Sequence, residues 1–296
     1  MAEIVEIPVV WLQGAACTGC AVSLLNSFAP GASSLVLREL APGKHVSLRF
    51  LATVMAGQGQ QAVDIVHDEA ASDKGGYVLV MEGSVPTGND LFATMGEADG
   101  REIPIREHAV ELARNAMAVV CMGTCSSYGG IPAGDPNPTA AMSMGDLLAA
   151  DGVDVPVVNV PGCPPHPDWL VGTLVAVARY GLGAVEVDEI GRPTIYYGKL
   201  IHETCPRRAD FDAGRFAKNF GEPGCLYELG CKGPVTYADC PTRMWNSGTN
   251  WCVGAGSPCH GCVEPSFHDL LSPLYEKINE DRLNRFRLGA AETPGT

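Results

Sequence analysis

The chain has 296 residues, 46% of them apolar, with 34 acidic against 20 basic side chains and a formal charge of −14 at pH 7. That length can bury a substantial core in one large domain or two of ordinary size. The acidic balance, with no Lys/Arg block or stripe to neutralise phosphates, argues against nucleic acid or an anionic membrane surface as partner.

No run of eighteen apolar residues occurs, and the segment from Phe267 to Thr296 is rich in charge, so neither a membrane span nor a C-terminal anchor is expected. The segment from Met1 to Trp11 lacks a basic region followed by an apolar stretch and a small-residue cleavage site. The expectation is therefore a cytoplasmic protein, with the periplasm as the alternative if a leader had been removed.

In chain order, strand and helix patterns alternate through the first half. A strand at residues 7–11 runs into Cys17-Thr18-Gly19-Cys20, with a helix at 21–27. A strand at 45–50 and a helix at 60–69 follow, then a strand at 77–82 and a helix at 105–116. The strand at 118–122 leads to Cys125 in Gly-Thr-Cys-Ser-Ser-Tyr-Gly-Gly. After a helix at 144–150, the strand at 155–160 leads to Cys163 in Val-Pro-Gly-Cys-Pro-Pro-His-Pro, and a helix at 168–180 closes the series. Such alternation predicts an α/β domain, a flavodoxin-like parallel sheet with helices on both faces. From about Val187, Gly, Pro and Cys become dense and strand patterns fade. The expected division is 1–190 for the flavodoxin-like domain and 191–296 for an irregular domain that bound metal would staple.

Twelve cysteines dominate the chemistry. Disulfides would suit a short secreted chain with a weak core, which this is not. Loops at the carboxyl ends of parallel strands converge on one rim, so Cys17, Cys20, Cys125 and Cys163 should meet there. Four thiolates suit zinc or a 4Fe-4S cluster; one Cys-x-x-Cys pair completed by two single cysteines favours the cluster over zinc. A Cys-x-x-Cys of thioredoxin type would leave the other ten unexplained. The second half holds two further sets: His202, Cys205, Cys225 and Cys231, then Cys240, Cys252, Cys259 and Cys262. A histidine three residues from a cysteine in this setting reads as a ligand, and neutral imidazole in place of thiolate should raise a cluster's potential. Cys121, in an apolar run, reads as buried packing. No dinucleotide or P-loop glycine motif is present, so the fold does not imply flavin or nucleotide.

These segments resemble the small subunits of nickel-iron hydrogenases from Trp11 to Phe267. The resemblance is carried by Trp-Leu-Gln-Gly-Ala-Ala-Cys-Thr-Gly-Cys (11–20), Glu-Gly-Ser-Val-Pro-Thr (82–87), the Cys125 and Cys163 motifs, His-x-x-Cys (202–205), Gly-Cys-Lys-Gly-Pro (230–234) and Pro-Cys-His-Gly-Cys (258–262). It implies a proximal cluster on Cys17, Cys20, Cys125 and Cys163, a distal one on His202, Cys205, Cys225 and Cys231, and a medial one on Cys240, Cys259 and Cys262. It also implies no bond-making residue on this chain, a large subunit that holds the nickel-iron centre, and an external electron carrier such as a cytochrome or ferredoxin. His202 would mark the electron exit.

Three departures matter. Many members of the family have proline where this chain has Cys252 and hold a three-iron medial cluster. A thiolate there can complete a cube, as in the nickel-iron-selenium subgroup, so three 4Fe-4S clusters are expected, with a 3Fe-4S medial cluster the lesser alternative. Gly19 and Gly130 stand where oxygen-tolerant members carry extra cysteines, which implies an ordinary proximal cluster. Ala16 stands where many relatives have glutamate. The rival readings are a stand-alone ferredoxin-like carrier, a structural zinc protein and a relay subunit of another oxidoreductase such as a respiratory complex. An obligate subunit differs from the first in burying on the order of 2,000 Å² or more against its partner.

Overall fold

Strand β1 (Val5–Gln13) is flanked on both sides by parallel neighbours, and its residues Val9, Val10, Trp11 and Leu12 are all buried, the signature of a strand covered on both faces. The structure, a computed structural model, describes residues 5–28, 31, 39–41, 44–71, 76–265, 267–278, 281 and 284. The N-terminal four residues, and much of the segment after Phe267, where leader and anchor patterns were sought, lie outside the described residues. Among the described residues no helix is long and apolar enough to cross a membrane.

Two compact units divide the chain, Met1–Pro193 and Thr194–Thr296. The first is built on a six-stranded sheet of β1 with β2 (Glu39–Ala41), β3 (Lys44–Leu51), β4 (Val78–Glu82), β8 (Ala118–Met122) and β10 (Val157–Val160), in the order β10-β8-β4-β1-β3-β2. Only edge strand β2 is antiparallel. Numbered among themselves, the five parallel strands run 2-1-3-4-5, the flavodoxin-like order. The apolar runs expected to form strands are the five parallel strands. Missed were β2, the pair β5 (Val85–Pro86) with β9 (Ala141–Met142), and the hairpin β6 (Thr94–Ala98) with β7 (Arg101–Pro104).

Helices cover both faces. Two short ones, α1 (Gly19–Leu25) after β1 and α4 (Thr124–Tyr128) after β8, carry Cys20 and Cys125. On one side of the sheet Val10, Leu12, Leu79, Met81 and Val119 pack with Val66 and Ala70 of α2 (Gln60–Ala70), with Ile105, Ala109 and Leu112 of α3 (Ile105–Asn115), and with Leu147 and Leu148 of α5 (Met144–Ala150). Cys121 lies in this core, fully buried, and burial pushes its thiol up to about 12, a packing residue as expected. The long helix α6 (Pro167–Tyr180) runs from the Cys163 loop, with Trp169, Leu170, Val171 and Leu174 buried.

The second unit is irregular. Among its described residues the named pieces are short: α7 (Thr194–Tyr197), α8 (Ile201–Thr204), α9 (Arg208–Asp212) and α10 (Cys240–Arg243), with 3-10 turns at Leu226–Leu229 and Gly233–Val235. Among its described residues, strand pairing is limited to isolated bridges such as Leu200 with Tyr237.

Candidate functional site

In the first unit the strand order reverses between β1 and β4, and the crevice at the carboxyl ends there is where open α/β sheets hold ligands. Cys17 and Cys20 follow β1 at this point, and Cys20 lies in the first turn of α1. The helix has no capping side chain of its own, Thr18 sitting left-handed at φ 64°. Instead Glu82, the last residue of β4 and 1% exposed, supplies Oε1 as acceptor for the backbone N–H groups of Cys20 at 3.1 Å and Ala21 at 3.3 Å. Its Oε2 accepts from Trp11 Nε1 at 2.9 Å and Gln13 Nε2 at 3.0 Å.

The other two loops are tied to this one and to each other. Ser23 Oγ donates to the Pro165 carbonyl at 2.7 Å, Thr124 N–H to the Gly162 carbonyl at 3.0 Å, and Gly162 N–H to Thr124 Oγ1 at 2.9 Å. Gly123 has φ 90°, and a Cβ there would stand 2.5 Å from Cys20 Sγ, so backbone must pass close under the sulfur.

Three thiols of this rim, Cys20, Cys125 and Cys163, feel their neighbours. Burial pushes Cys20 far up, helped by Glu82 and by Cys125, Cys17 and Cys163. Burial and Cys163 push Cys125 up to about 11, and Cys163 rises through burial and Cys17. Four thiolates cannot be crowded together at neutral pH unless a cationic centre offsets their mutual repulsion, which a metal cluster does.

The second unit brings together the other two sets. His202 and Cys205 on and after α8, with Cys225 and Cys231, line one small cavity of about 20 Å³ together with Arg207 and Tyr227. His202 packs edge-on against Phe211 at 4.4 Å, and burial with the nearby Arg208 lowers its pKa, favouring the neutral imidazole a metal needs. Cys240, opening α10, is pushed well up by burial and by Cys262 and Cys252, while a hydrogen bond with the Trp245 side chain opposes the rise. Cys259 is raised by burial and by Cys231, Cys262 and Cys240. Among the described residues no three His, Cys, Asp or Glu side chains close tightly enough on one point to hold a single ion. Tetrahedral zinc requires that closeness, whereas a cubane offers separate iron corners to thiolates set further apart.

Two family descriptions match. One is the 20 kDa subunit of NADH ubiquinone oxidoreductase, over residues 17–177; the other is the C-terminal part of the NiFe/NiFeSe hydrogenase small subunit, over residues 197–275. The periplasmic [NiFeSe] hydrogenase small subunit of Desulfomicrobium baculatum is 45% identical over 281 residues, covering 91% of this chain and 87% of the relative. The chain belongs to the nickel-iron hydrogenase small-subunit family. A further relative is the periplasmic [NiFe] hydrogenase small subunit of Solidesulfovibrio fructosivorans, at 40% identity over 91% of this chain and 81% of its own length. A reduced, active Ni-Fe-Se hydrogenase structure from Desulfomicrobium baculatum superposes with a TM-score of 0.87 at 44% identity, over 92% of this chain and all of that one.

As a hydrogenase small subunit this chain is the electron-transfer partner of a catalytic large subunit, and its nearest likeness is to the NiFeSe branch. The respiratory rival shares only the first-unit description; the second-unit match is what separates the two. The cytoplasmic expectation is overturned, because relatives from Desulfomicrobium baculatum, Solidesulfovibrio fructosivorans and Nitratidesulfovibrio vulgaris are named periplasmic. That expectation rested on the missing leader pattern in the first residues, and where a numbered sequence begins does not fix its compartment. Sequence reasoning also passed over Glu82 as a site residue; its signal was a carboxylate ending an otherwise apolar strand.

Proposed function

We propose that this chain relays the electrons of H2 oxidation or proton reduction through three 4Fe-4S clusters, held in the periplasm beside a nickel-iron large subunit. The proximal cluster rests on Cys17, Cys20, Cys125 and Cys163, the medial on Cys240, Cys252, Cys259 and Cys262, and the distal on His202, Cys205, Cys225 and Cys231. The carrying observation is that Cys17, Cys125 and Cys163 act on Cys20, that His202, Cys205, Cys225 and Cys231 line one cavity, and that Cys252 and Cys262 act on Cys240. Each cluster, when bound, would take up and release one electron at a time.

The chain's own residues hold and shield. Glu82 fixes α1 so that Cys17 and Cys20 face the rim, and the Gly123 and Gly162 turns bring Cys125 and Cys163 to it. Exposed apolar side chains nearby in sequence, Val22 and Leu25 on α1, Phe28 after it and Ile131 after Cys125, supply a surface for the large subunit. His202, neutral and half-buried, suits a terminal ligand from which an external carrier such as a cytochrome or ferredoxin draws the electron.

Anaerobic purification with metal analysis and low-temperature electron paramagnetic resonance tests the reading. About eleven to twelve irons per chain and no oxidised three-iron signal are expected; zinc in place of iron, or a protein colourless in the visible range, refutes it.

A further inference from the structure

A histidine that ligates a metal ordinarily donates its other ring N–H to a carboxylate, a backbone carbonyl or water, and that bond fixes how the ring faces the metal. Among the described residues, no hydrogen bond reaches either ring nitrogen of His202. Asp212, at the end of α9, is engaged instead by Arg208 Nε at 2.8 Å. What meets the imidazole is a ring. Phe211 stands nearly perpendicular to it, at 82°, with the two centroids 4.4 Å apart. Phe211 is itself held edge-on by Tyr227 at 5.4 Å and by Phe216 at 5.8 Å, and these two lie 6.2 Å from each other, so the three rings close a triangle. The triangle is built from the segments that carry the thiols of the same set. The helix holding Phe211 is tied to the Cys205 carbonyl by the Arg208 N–H at 3.0 Å, Phe216 forms a β-bridge with Cys225, and Tyr227 follows Cys225 by two residues.

Resting on the assignment of His202 to the distal set, we infer that Phe211 is a positioning residue for that ligand, its ring setting the plane of the imidazole where a hydrogen bond usually does so. Rotation of a histidine ring about its Cβ–Cγ bond is soft, and a perpendicular ring in contact blocks it. Edge-to-face geometry is also the preferred packing of two such rings. Imidazole, unlike the three thiolates, brings no charge to hold it to iron, so its bond depends on being aimed. Phe211 itself makes no bond to the cluster.

The competing role is structural, an apolar side chain filling space between the Cys205 and Cys225 loops. Phe211→Leu keeps apolar bulk and removes the ring; Phe211→Tyr keeps the ring. Two measurements on the whole heterodimer, with its histidines labelled by nitrogen-15, separate the roles: pulsed electron paramagnetic resonance of the reduced distal cluster, which reads the coupling of the bound imidazole nitrogen, and the rate of iron loss to a chelator. Phe211→Leu should scatter or abolish the nitrogen coupling and speed distal iron loss about tenfold, with the proximal and medial signals unmoved. Phe211→Tyr should keep the wild-type coupling. A wild-type coupling and rate in Phe211→Leu overturn the inference, as does an equal loss in Phe211→Tyr. The same substitution made in His202→Cys protein closes the cycle. There the ring has no imidazole to aim, and adding Phe211→Leu should leave the rate of iron loss where His202→Cys put it; a further tenfold rise marks a structural role and overturns the inference. Should Phe211→Leu alone not assemble, assembly of the double variant supports the inference and its failure overturns it. Wild-type protein whose reduced clusters show no histidine nitrogen coupling refutes the distal assignment itself, an outcome read before any variant is made.

Discussion

The carboxylate of Glu82 accepts the backbone N–H of Cys20 across 62 residues of sequence, at 3.1 Å, and so fixes the direction of the helix that carries that cysteine. Replacing Glu82 by alanine strands the N–H groups of Cys20 and Ala21 and the indole N–H of Trp11. Buried donors left without acceptors cost about 1–3 kcal/mol each, so Glu82→Ala should lower the unfolding free energy by about 3 kcal/mol or more. It should also deplete iron from the proximal set first, leaving the other two signals. Thermal unfolding and iron analysis of the purified heterodimer check both; full iron content and an unmoved midpoint would refute the capping role.

The five parallel strands were legible because they are rich in apolar residues, β4 and β8 being buried along their whole length, and the helices between them carry a 3.6-residue apolar stripe. The small antiparallel pieces were not. Val85–Pro86 and Ala141–Met142 are two residues each, too short for any periodicity, and their pairing is dictated by the loops around them. The cysteines were legible as spacing, since strand order alone brings Cys17, Cys125 and Cys163 to one edge of the sheet. What spacing could not carry was the support behind them. Glu82 reads as one charge in a motif, and its part emerges only when distant backbone donors close around it.

Cys252 offers the sharpest distinction within the second unit. In Cys252→Pro the thiolate that acts on Cys240 is lost, and the backbone at that position stays available for the remaining three ligands. About one iron per chain should disappear, and an oxidised three-iron signal should appear at low temperature with a higher medial potential. A four-iron signal persisting in this variant would remove Cys252 from the ligand set.

Glycine is enforced at Gly130. Its φ is 57°, and a Cβ would stand 2.6 Å from Cys125 Cα and 2.7 Å from its Sγ, closer than real atoms approach. At Gly19 the corresponding Cβ would lie 3.0 Å from Cys17 Sγ. Installing cysteines at both positions therefore displaces the very ligands they would assist. The double variant Gly19→Cys with Gly130→Cys should lose proximal cluster signal and gain no persistence of H2 oxidation in air. Protein-film electrochemistry under oxygen decides this, and sustained current in the double variant would show that the loop accommodates both side chains.

His108 gives the first unit a pH dependence independent of any cluster. It is 1% exposed on α3, its Nε2–H donates to the Met95 carbonyl at 2.7 Å, and its ring lies 5.6 Å from that of His67. Burial lowers its pKa below the ordinary 6.5, the Met95 bond only partly opposing this. Because the folded state resists a proton that the unfolded chain accepts, the stability it supports is complete above pH 6.5 and falls as pH drops below that value. His108→Gln retains a donor for Met95 and removes the titration. Denaturant unfolding between pH 7.5 and 5.5 should show a steeper loss for wild type than for the variant, and parallel curves would show that His108 does not carry the acid sensitivity of this unit.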